Sequence, residues 1–220
     1  MSGRTGPNIV RNGLIFELDA ADKNSYPGAG TLWKDLSINS YNGTLTNGPT
    51  YTGANNGAIV FDGVDDLVIF NSAISVPSSN TVMIWFFVSA MVTPLQGSYA
   101  NLFAQNSLNG IYVYSANGIN GYINYYSDAD ILSSTLVMVN KWINLAVVCN
   151  SGAIQYYFNG VLDSNSNING TAYNAGVIGG DSTSENLTGK IANVTVYNRA
   201  LNRSEILQNY NATKGRFNLQ

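Results

Sequence analysis

Trp142-Ile-Asn-Leu-Ala-Val-Val-Cys-Asn-Ser-Gly-Ala-Ile-Gln-Tyr-Tyr-Phe-Asn-Gly-Val-Leu162 is the stretch that decides the fold. Two runs rich in aliphatic, β-branched and aromatic residues, Trp142–Cys149 and Ile154–Phe158, are separated only by Asn150-Ser-Gly152. Asn159-Gly160 repeats the turn signal before Val161-Leu162. Short turns with residues that accept positive φ join antiparallel strands, so this stretch reads as successive hairpins.

The same grammar extends along the chain. Leu14–Leu18, Ala58–Phe61, Leu67–Phe70, Ile111–Tyr114, Tyr122–Tyr126, Val177–Ile178 and Ile191–Tyr197 read as further strands. Residues 19–56 read as a long loop region with turns at Pro27-Gly28, Asn42-Gly43 and Asn47-Gly48-Pro49. Thr81–Val88 is almost continuously apolar, which suits a buried helix or a strand buried on both faces; its β-branched and aromatic content favours the strand. One helix is predicted near the C-terminus. Asn202-Arg-Ser-Glu205 has capping-box spacing, and Ile206, Leu207 and Tyr210 gather on one face, with the helix ending before Gly215. About a dozen short strands and one small helix predict an all-β chain, an antiparallel β-sandwich or jelly roll. One domain is expected over residues 13–220, after an extended N-terminal arm or frayed terminus at 1–12.

Composition narrows the chemistry. Only 10% of the 220 residues are charged, against about a quarter in an average soluble domain. Polarity comes from Asn, Ser, Thr and Gly instead, with 31 Asn and 22 Gly. The longest apolar run, Val82–Val88, is far below the roughly 18 residues of a spanning helix, so no membrane insertion is expected. With no His, a Ser-His-Asp triad and His-ligated metals are excluded. One Cys, Cys149, excludes an intrachain disulfide and reads as a small buried hydrophobe. A net charge of −3 without a basic block argues against nucleic acid as a partner. Met1-Ser-Gly-Arg-Thr-Gly-Pro7 has no apolar core of a secretory signal, which predicts synthesis in a reducing compartment and makes the six N-x-S/T sequons incidental.

Several patterns now stand in one order. Ile59-Val-Phe-Asp-Gly-Val-Asp-Asp-Leu-Val68 is followed by Thr81-Val-Met-Ile-Trp85, Lys141–Val148, Tyr157-Phe-Asn-Gly160 and Val177-Ile-Gly-Gly180. Gly189–Leu201 and the Ser204-Glu-Ile206 helix close the series. This order resembles the laminin-G-like, concanavalin A-like lectin/glucanase superfamily in its jelly-roll form, from about Leu14 to Tyr210. Asn12–Ala20, Ser25-Tyr-Pro-Gly28, Trp33-Lys-Asp-Leu-Ser37, Asn42–Thr50 and Gln208–Phe217 resemble, more narrowly, laminin-G-like domains of tailed-phage virion proteins.

A glycosidase on this fold needs two carboxylates flanking the sugar bond. The three Glu, Glu17, Glu185 and Glu205, fall on separate elements, and the i, i+2 pair Asp128 and Asp130 reads as a solvated turn, so no enzyme and no catalytic residue are expected. The turn Asp62-Gly-Val-Asp-Asp66 offers the Asp62, Asp65 and Asp66 carboxylates in five residues, a donor set suited to calcium. The resemblance implies one Ca²⁺ near this turn, helped by an acidic pair on the penultimate strand, but Ala192-Asn193 stand there. No cofactor is therefore assigned, with one calcium ion kept as the alternative to a turn closed by backbone hydrogen bonds. The 14 Tyr supply rings for sugar stacking, yet Tyr112, Tyr114, Tyr122, Tyr125, Tyr126, Tyr156 and Tyr157 sit where sheet packing is their ordinary use. Trp33, Trp85 and Trp142 read as core or loop packing.

The resemblance implies a non-enzymatic virion structural protein, located in the virion. The leading reading is a capsid decoration protein docking on the major capsid protein or another virion protein, perched on its N-terminal arm and forming a homo-oligomer. The alternative is a carbohydrate-binding adhesin, a tail-fibre or tail-tip lectin-like module contacting host surface glycans.

Overall fold

The computed structural model describes residues 8–91, 98–105, 109–127, 129–166, 170–181 and 185–219. The strands in chain order are β1 (Leu14–Asp19), β2 (Leu32–Trp33), β3 (Gly43–Thr46), β4 (Thr50–Thr52), β5 (Ala58–Asp62) and β6 (Leu67–Val76). They continue with β7 (Asn80–Val88), β8 (Tyr99–Ala104), β9 (Gly110–Tyr114), β10 (Gly121–Tyr126) and β11 (Asp130–Val137). The last five are β12 (Trp142–Asn150), β13 (Ala153–Phe158), β14 (Val161–Ser166), β15 (Tyr173–Ile178) and β16 (Thr188–Tyr197). Helix α1 (Arg203–Thr213) follows.

Two antiparallel sheets form a sandwich. One runs β14-β13-β12-β7-β16-β5-β4, with β1 also paired to β16. The other runs β11-β10-β9-β8-β15-β6-β3-β2. The hairpin reading of residues 142–162 holds. Ser151 and Gly152 (φ 49° and 95°) turn β12 into β13, and Asn159 and Gly160 (52° and 78°) turn β13 into β14, the paired positive φ that matches strand twist.

Alternation along the strands fills the space between the sheets. Val82, Ile84, Phe86 and Val88 of β7 and Leu145, Val147 and Cys149 of β12 meet Ile111 and Val113 of β9 and Ile123 and Tyr125 of β10 in one core. A buried tyrosine joins the layers. The Tyr156 hydroxyl donates to the Ile131 carbonyl and accepts the Tyr125 N–H, so its polar end is satisfied inside the core.

The sheet containing β7 is covered outside as well. Met83 and Trp85 point away from the core and are buried beneath α1 and the turn that follows it. Trp85 stacks on Phe217 with ring centroids 4.1 Å apart and donates from Nε1 to the Thr213 hydroxyl at 2.7 Å. This explains why Thr81–Val88 is apolar throughout: both faces of β7 are buried. Helix α1 starts as its sequence predicts, with Asn202 accepting the Glu205 N–H and Glu205 accepting the Asn202 N–H. Its buried face differs from the prediction. Leu207 is 44% exposed, whereas Asn209 is buried, because Asn209 Oδ1 accepts the Val10 N–H at 2.8 Å.

Three further differences concern extent. The stretch read as loop, residues 19–56, carries the short strands β2, β3 and β4, and β8 and β11 add two strands to the expected set. Of the expected arm, residues 1–7 lie outside the described residues. Residues 8–12 run along the domain, where Gln208 donates to the Asn8 carbonyl, Tyr197 to the Val10 carbonyl and Arg199 to the Asn12 carbonyl. Among the described residues no helix is long and apolar enough to cross a membrane.

Candidate functional site

Among the described residues, no helix lies over the outer face of the second sheet; α1 packs on the first. On β9 and β10 the core takes Ile111, Val113, Ile123 and Tyr125, so alternation sends Tyr112, Tyr114, Tyr122, Asn124 and Tyr126 to the other face. Cross-strand register lines these up. Tyr99 stands opposite Tyr114, Tyr114 opposite Tyr122, and Tyr122 opposite Leu136, a row running across β8, β9, β10 and β11. The three tyrosines are half-buried and Leu136 is exposed. A second row runs Asn101, Tyr112, Asn124, Leu132, and its first three members are buried.

Polar groups rim the rings. The Tyr99 ring packs on Tyr112 and Tyr114, 5.9 and 5.1 Å between centroids, and its hydroxyl donates to the Asp130 carboxylate at 3.1 Å. Asn124 donates to the same carboxylate at 2.7 Å and accepts the Ile131 N–H at 3.0 Å. Burial, then the Asp130 charge, push the Tyr99 hydroxyl up to about 12. It therefore stays a protonated donor at neutral pH. Asp128 lies outside the described residues, so of the sequence pair only Asp130 is placed, on this face rather than in a free turn.

The segment between β15 and β16 closes the other flank. Glu185 donates its N–H to Asp181 Oδ1 at 3.3 Å, and its carbonyl accepts the Asn101 N–H at 2.9 Å. Burial first, then the neighbouring Asp181 carboxylate, push the Glu185 carboxyl up to about 7. Burial likewise raises Tyr112, with Glu185 and Asp181 adding to it. Asn101 is completely buried and neither of its side-chain polar atoms has a partner.

Elsewhere the acidic turn is ordered by its own backbone. Asp62 Oδ1 accepts the Val64 N–H at 2.8 Å and Asp66 Oδ2 accepts the Asp62 N–H at 2.9 Å. Asn186 donates to the Val64 carbonyl at 2.6 Å. The side-chain oxygens of Asp62, Asp65 and Asp66 lie within 4.8 Å of one another. Gly63, at φ +81°, leaves no room for a side chain, since a Cβ would meet the Thr188 hydroxyl at 1.9 Å. Ala192-Asn193 do not border this turn. Asp62 pairs with Thr188, so Asn193 lies about 15 Å farther along β16. There it donates to the Leu18 carbonyl.

The remaining sequence candidates are structural. Tyr125 and Tyr156 belong to the core, and Tyr157 packs beneath α1. Trp33 and Trp85 are buried, and Trp142 packs on Phe217. Cys149 is buried, and burial raises its thiol. Glu17, Glu185 and Glu205 sit on β1, the β15–β16 segment and α1. Sequence reading did not single out Tyr99 and Asn101. Their signal was present only as the i, i+2 spacing of Tyr112/Tyr114 and Tyr122/Asn124, which marks a polar face that β8 must share.

Solved structures share this architecture. Domain 4 of AbnA, a GH43 extracellular arabinanase from Geobacillus stearothermophilus solved with arabinotriose, matches with a TM-score of 0.69 at 17% identity, over 91% of this chain and 100% of that one. The binding domain of Paraclostridial Mosquitocidal Protein 1 matches at 0.66 and 17%, over 91% of this chain and 52% of that one. Trypanosoma rangeli sialidase in complex with 2,3-difluorosialic acid matches at 0.67 and 14%, over 100% of this chain and 36% of the sialidase. The chain thus spans the whole arabinanase domain, about half of the toxin binding domain and about a third of the sialidase. At these identities the likeness is one of fold. Comparison with curated protein sequences finds no match. The family described as the concanavalin A-like lectin/glucanases superfamily, Laminin_G_3, matches residues 62–207, which carry both the acidic turn and the tyrosine face, and the chain belongs to that family.

Proposed function

We propose that the chain is a non-enzymatic glycan-binding module whose sugar lies on the Tyr99–Tyr114–Tyr122 row. The row itself carries the reading: three half-buried rings in register on one sheet face, beside the buried Asn101, Tyr112 and Asn124 and rimmed by Asp130. Such rings offer flat apolar surface to sugar C–H groups while carboxylates and amides take the hydroxyls. Arabinotriose in the complex of the arabinanase domain, which this chain spans in full, supports a carbohydrate partner. A catalytic role is disfavoured by spacing. The side chains of Asp181 and Glu185 are hydrogen-bonded to each other, closer than the roughly 5 Å of a retaining carboxylate pair.

A glycan array at physiological salt, repeated with Tyr114→Ala and Tyr122→Ala, tests this. The expected result is binding to a defined glycan that weakens about fivefold in each variant, as loss of a stacking ring costs on the order of 1 kcal/mol. Binding that both variants retain in full overturns the tyrosine row.

The setting we propose is a tailed-phage virion, with docking on a capsid protein. It is carried by the resemblance of residues 12–50 and 208–217 to virion laminin-G-like domains. Cryo-EM of the particle tests it: symmetric density on the capsid lattice supports decoration, and density confined to the tail makes the module an adhesin.

A further inference from the structure

The tyrosine face is hollow. Tyr99 on β8 and Asp130 on β11 have β9 and β10 between them. Three strand spacings come to about 14 Å in a flat sheet. Asp130 also stands at the other end of β11 from Leu136, the residue in Tyr99's row. Two side chains on a flat sheet could not meet across that diagonal, yet the Tyr99 hydroxyl lies 3.1 and 3.2 Å from the two Asp130 oxygens. The sheet therefore curls with this face inward. Tyr112 and Asn124, 2% and 0% exposed, form the floor, and Tyr99, Tyr114 and Tyr122 line the hollow above it.

Its charge has one sign. None of the eight strands of this sheet, β2, β3, β6, β8, β9, β10, β11 and β15, contains Lys or Arg. Neither residue type occurs anywhere between Lys34 and Lys141. Lys34 follows β2 at the far edge of the sheet, and Lys141 leads into β12 of the other sheet. Acids do stand here. Asp130 is exposed and accepts from Tyr99 and Asn124, and the charges of Glu185 and Asp181 both act on Tyr112. Around the covered sheet, by contrast, Glu17, Asp19 and Glu205 each meet an arginine.

We infer that this face selects neutral glycans over those bearing carboxylate or sulfate groups, with Asp130 as the discriminating residue. The inference rests on the glycan reading of the tyrosine row. An acidic sugar entering the hollow gives up water and meets the Asp130 carboxylate with no basic strand residue to offset it. Like charges brought together in such a partly dry concavity repel more strongly than across open solvent. A neutral sugar brings hydroxyl donors instead. A carboxylate offers about four lone-pair sites, so the bonds from Tyr99 and Asn124 leave Asp130 able to accept from a sugar hydroxyl as well, and a hydrogen bond to a charged acceptor is a strong one. One side chain thus rewards the neutral ligand and penalises the acidic one.

The test titrates the full chain by calorimetry with matched pairs built on its array hits: a neutral oligosaccharide, and the same oligosaccharide carrying one carboxylate or sulfate. We expect the acidic member to bind at least about fivefold more weakly at low salt, with the gap narrowing as salt rises, because ions screen repulsion between charges near solvent. Asp130→Asn should shrink the gap at low salt, and Asp130→Lys should reverse it. Asp130→Asn keeps an acceptor for Tyr99, so it reads out the charge even where Asp130→Lys fails to fold. Acidic glycans that bind wild type as tightly as their neutral partners, or a gap that Asp130→Asn leaves unchanged, overturn the selection by Asp130 and leave the glycan reading standing. Failure of every glycan, neutral and acidic, to bind overturns the glycan reading and the selection with it.

Discussion

The outer faces of the two sheets have been put to opposite uses. On the β7 side, the outward residues Met83 and Trp85 are buried beneath α1, Phe217 and the chain entering at Val10. On the β9 side, the outward residues Tyr114, Tyr122 and Leu136 are left half-buried or exposed. Both faces are rich in aromatics, so composition alone would rank them equally. What separates them is the C-terminal segment, which packs on one sheet only. Aromatics on the covered face hold the molecule together, whereas Tyr114 and Tyr122 on the other face keep part of their rings open to solvent.

The strongest way to break this comparison is to truncate one ring on each face. Trp85→Ala removes a fully buried indole, its stack on Phe217 and its hydrogen bond to Thr213, and should cost about 3–5 kcal/mol in chemical denaturation. Tyr122→Ala should cost well under half of that, because its ring is already partly solvated. Equal losses would show that the bare face is structural too, and the tyrosine row would lose its case as a binding platform.

A smaller effect sharpens the covered side. Asn202 accepts the Glu205 N–H at 3.0 Å, and Glu205 returns a bond to the Asn202 N–H while Arg199 grips its carboxylate with two bonds of 2.6 and 2.9 Å. Asn202→Ala should therefore destabilise by about 1 kcal/mol, roughly 2–4 °C in melting temperature for a chain of this size. A change indistinguishable from zero would mean that packing on Trp85, rather than the cap, fixes where the helix begins.

The two faces also differ in how much of them could be read from sequence. Turn chemistry is local, so Ser151-Gly152 and Asn159-Gly160 announce their hairpins, and the capping box announces α1. The doubly buried β7 was legible because a continuous apolar run demands cover on both faces. Leu207 was placed on the buried face and Asn209 passed over because helical periodicity does not foresee a polar side chain recruited by another segment, here the Val10 N–H. The strands β3 and β4 are short and rich in Thr and Gly, which hides them among turns. The tyrosine row was illegible for a different reason. Tyr99 and Tyr122 become neighbours of Tyr114 only through strand register, and register is fixed by the whole sheet rather than by any one strand.

The smallest effect concerns the flank of the bare face. Burial and the Asp181 carboxylate raise Glu185 from 4.5 to about 7. Its neighbours on this face are Asp181, Tyr112 and Tyr99, and the tyrosines remain neutral throughout the range. A carboxyl whose folded value is raised binds more protons in the folded state than in the unfolded chain between those two values. Stability from this group is therefore fully present below pH 4.5 and lost as pH rises to about 7. The melting temperature should decline over that window, and Glu185→Gln, which cannot ionise, should lose most of the decline. A wild-type profile that matches Glu185→Gln across the window would mean that the Glu185 carboxyl is solvated rather than buried against Asp181. The contrast between the faces would then rest on the tyrosines alone.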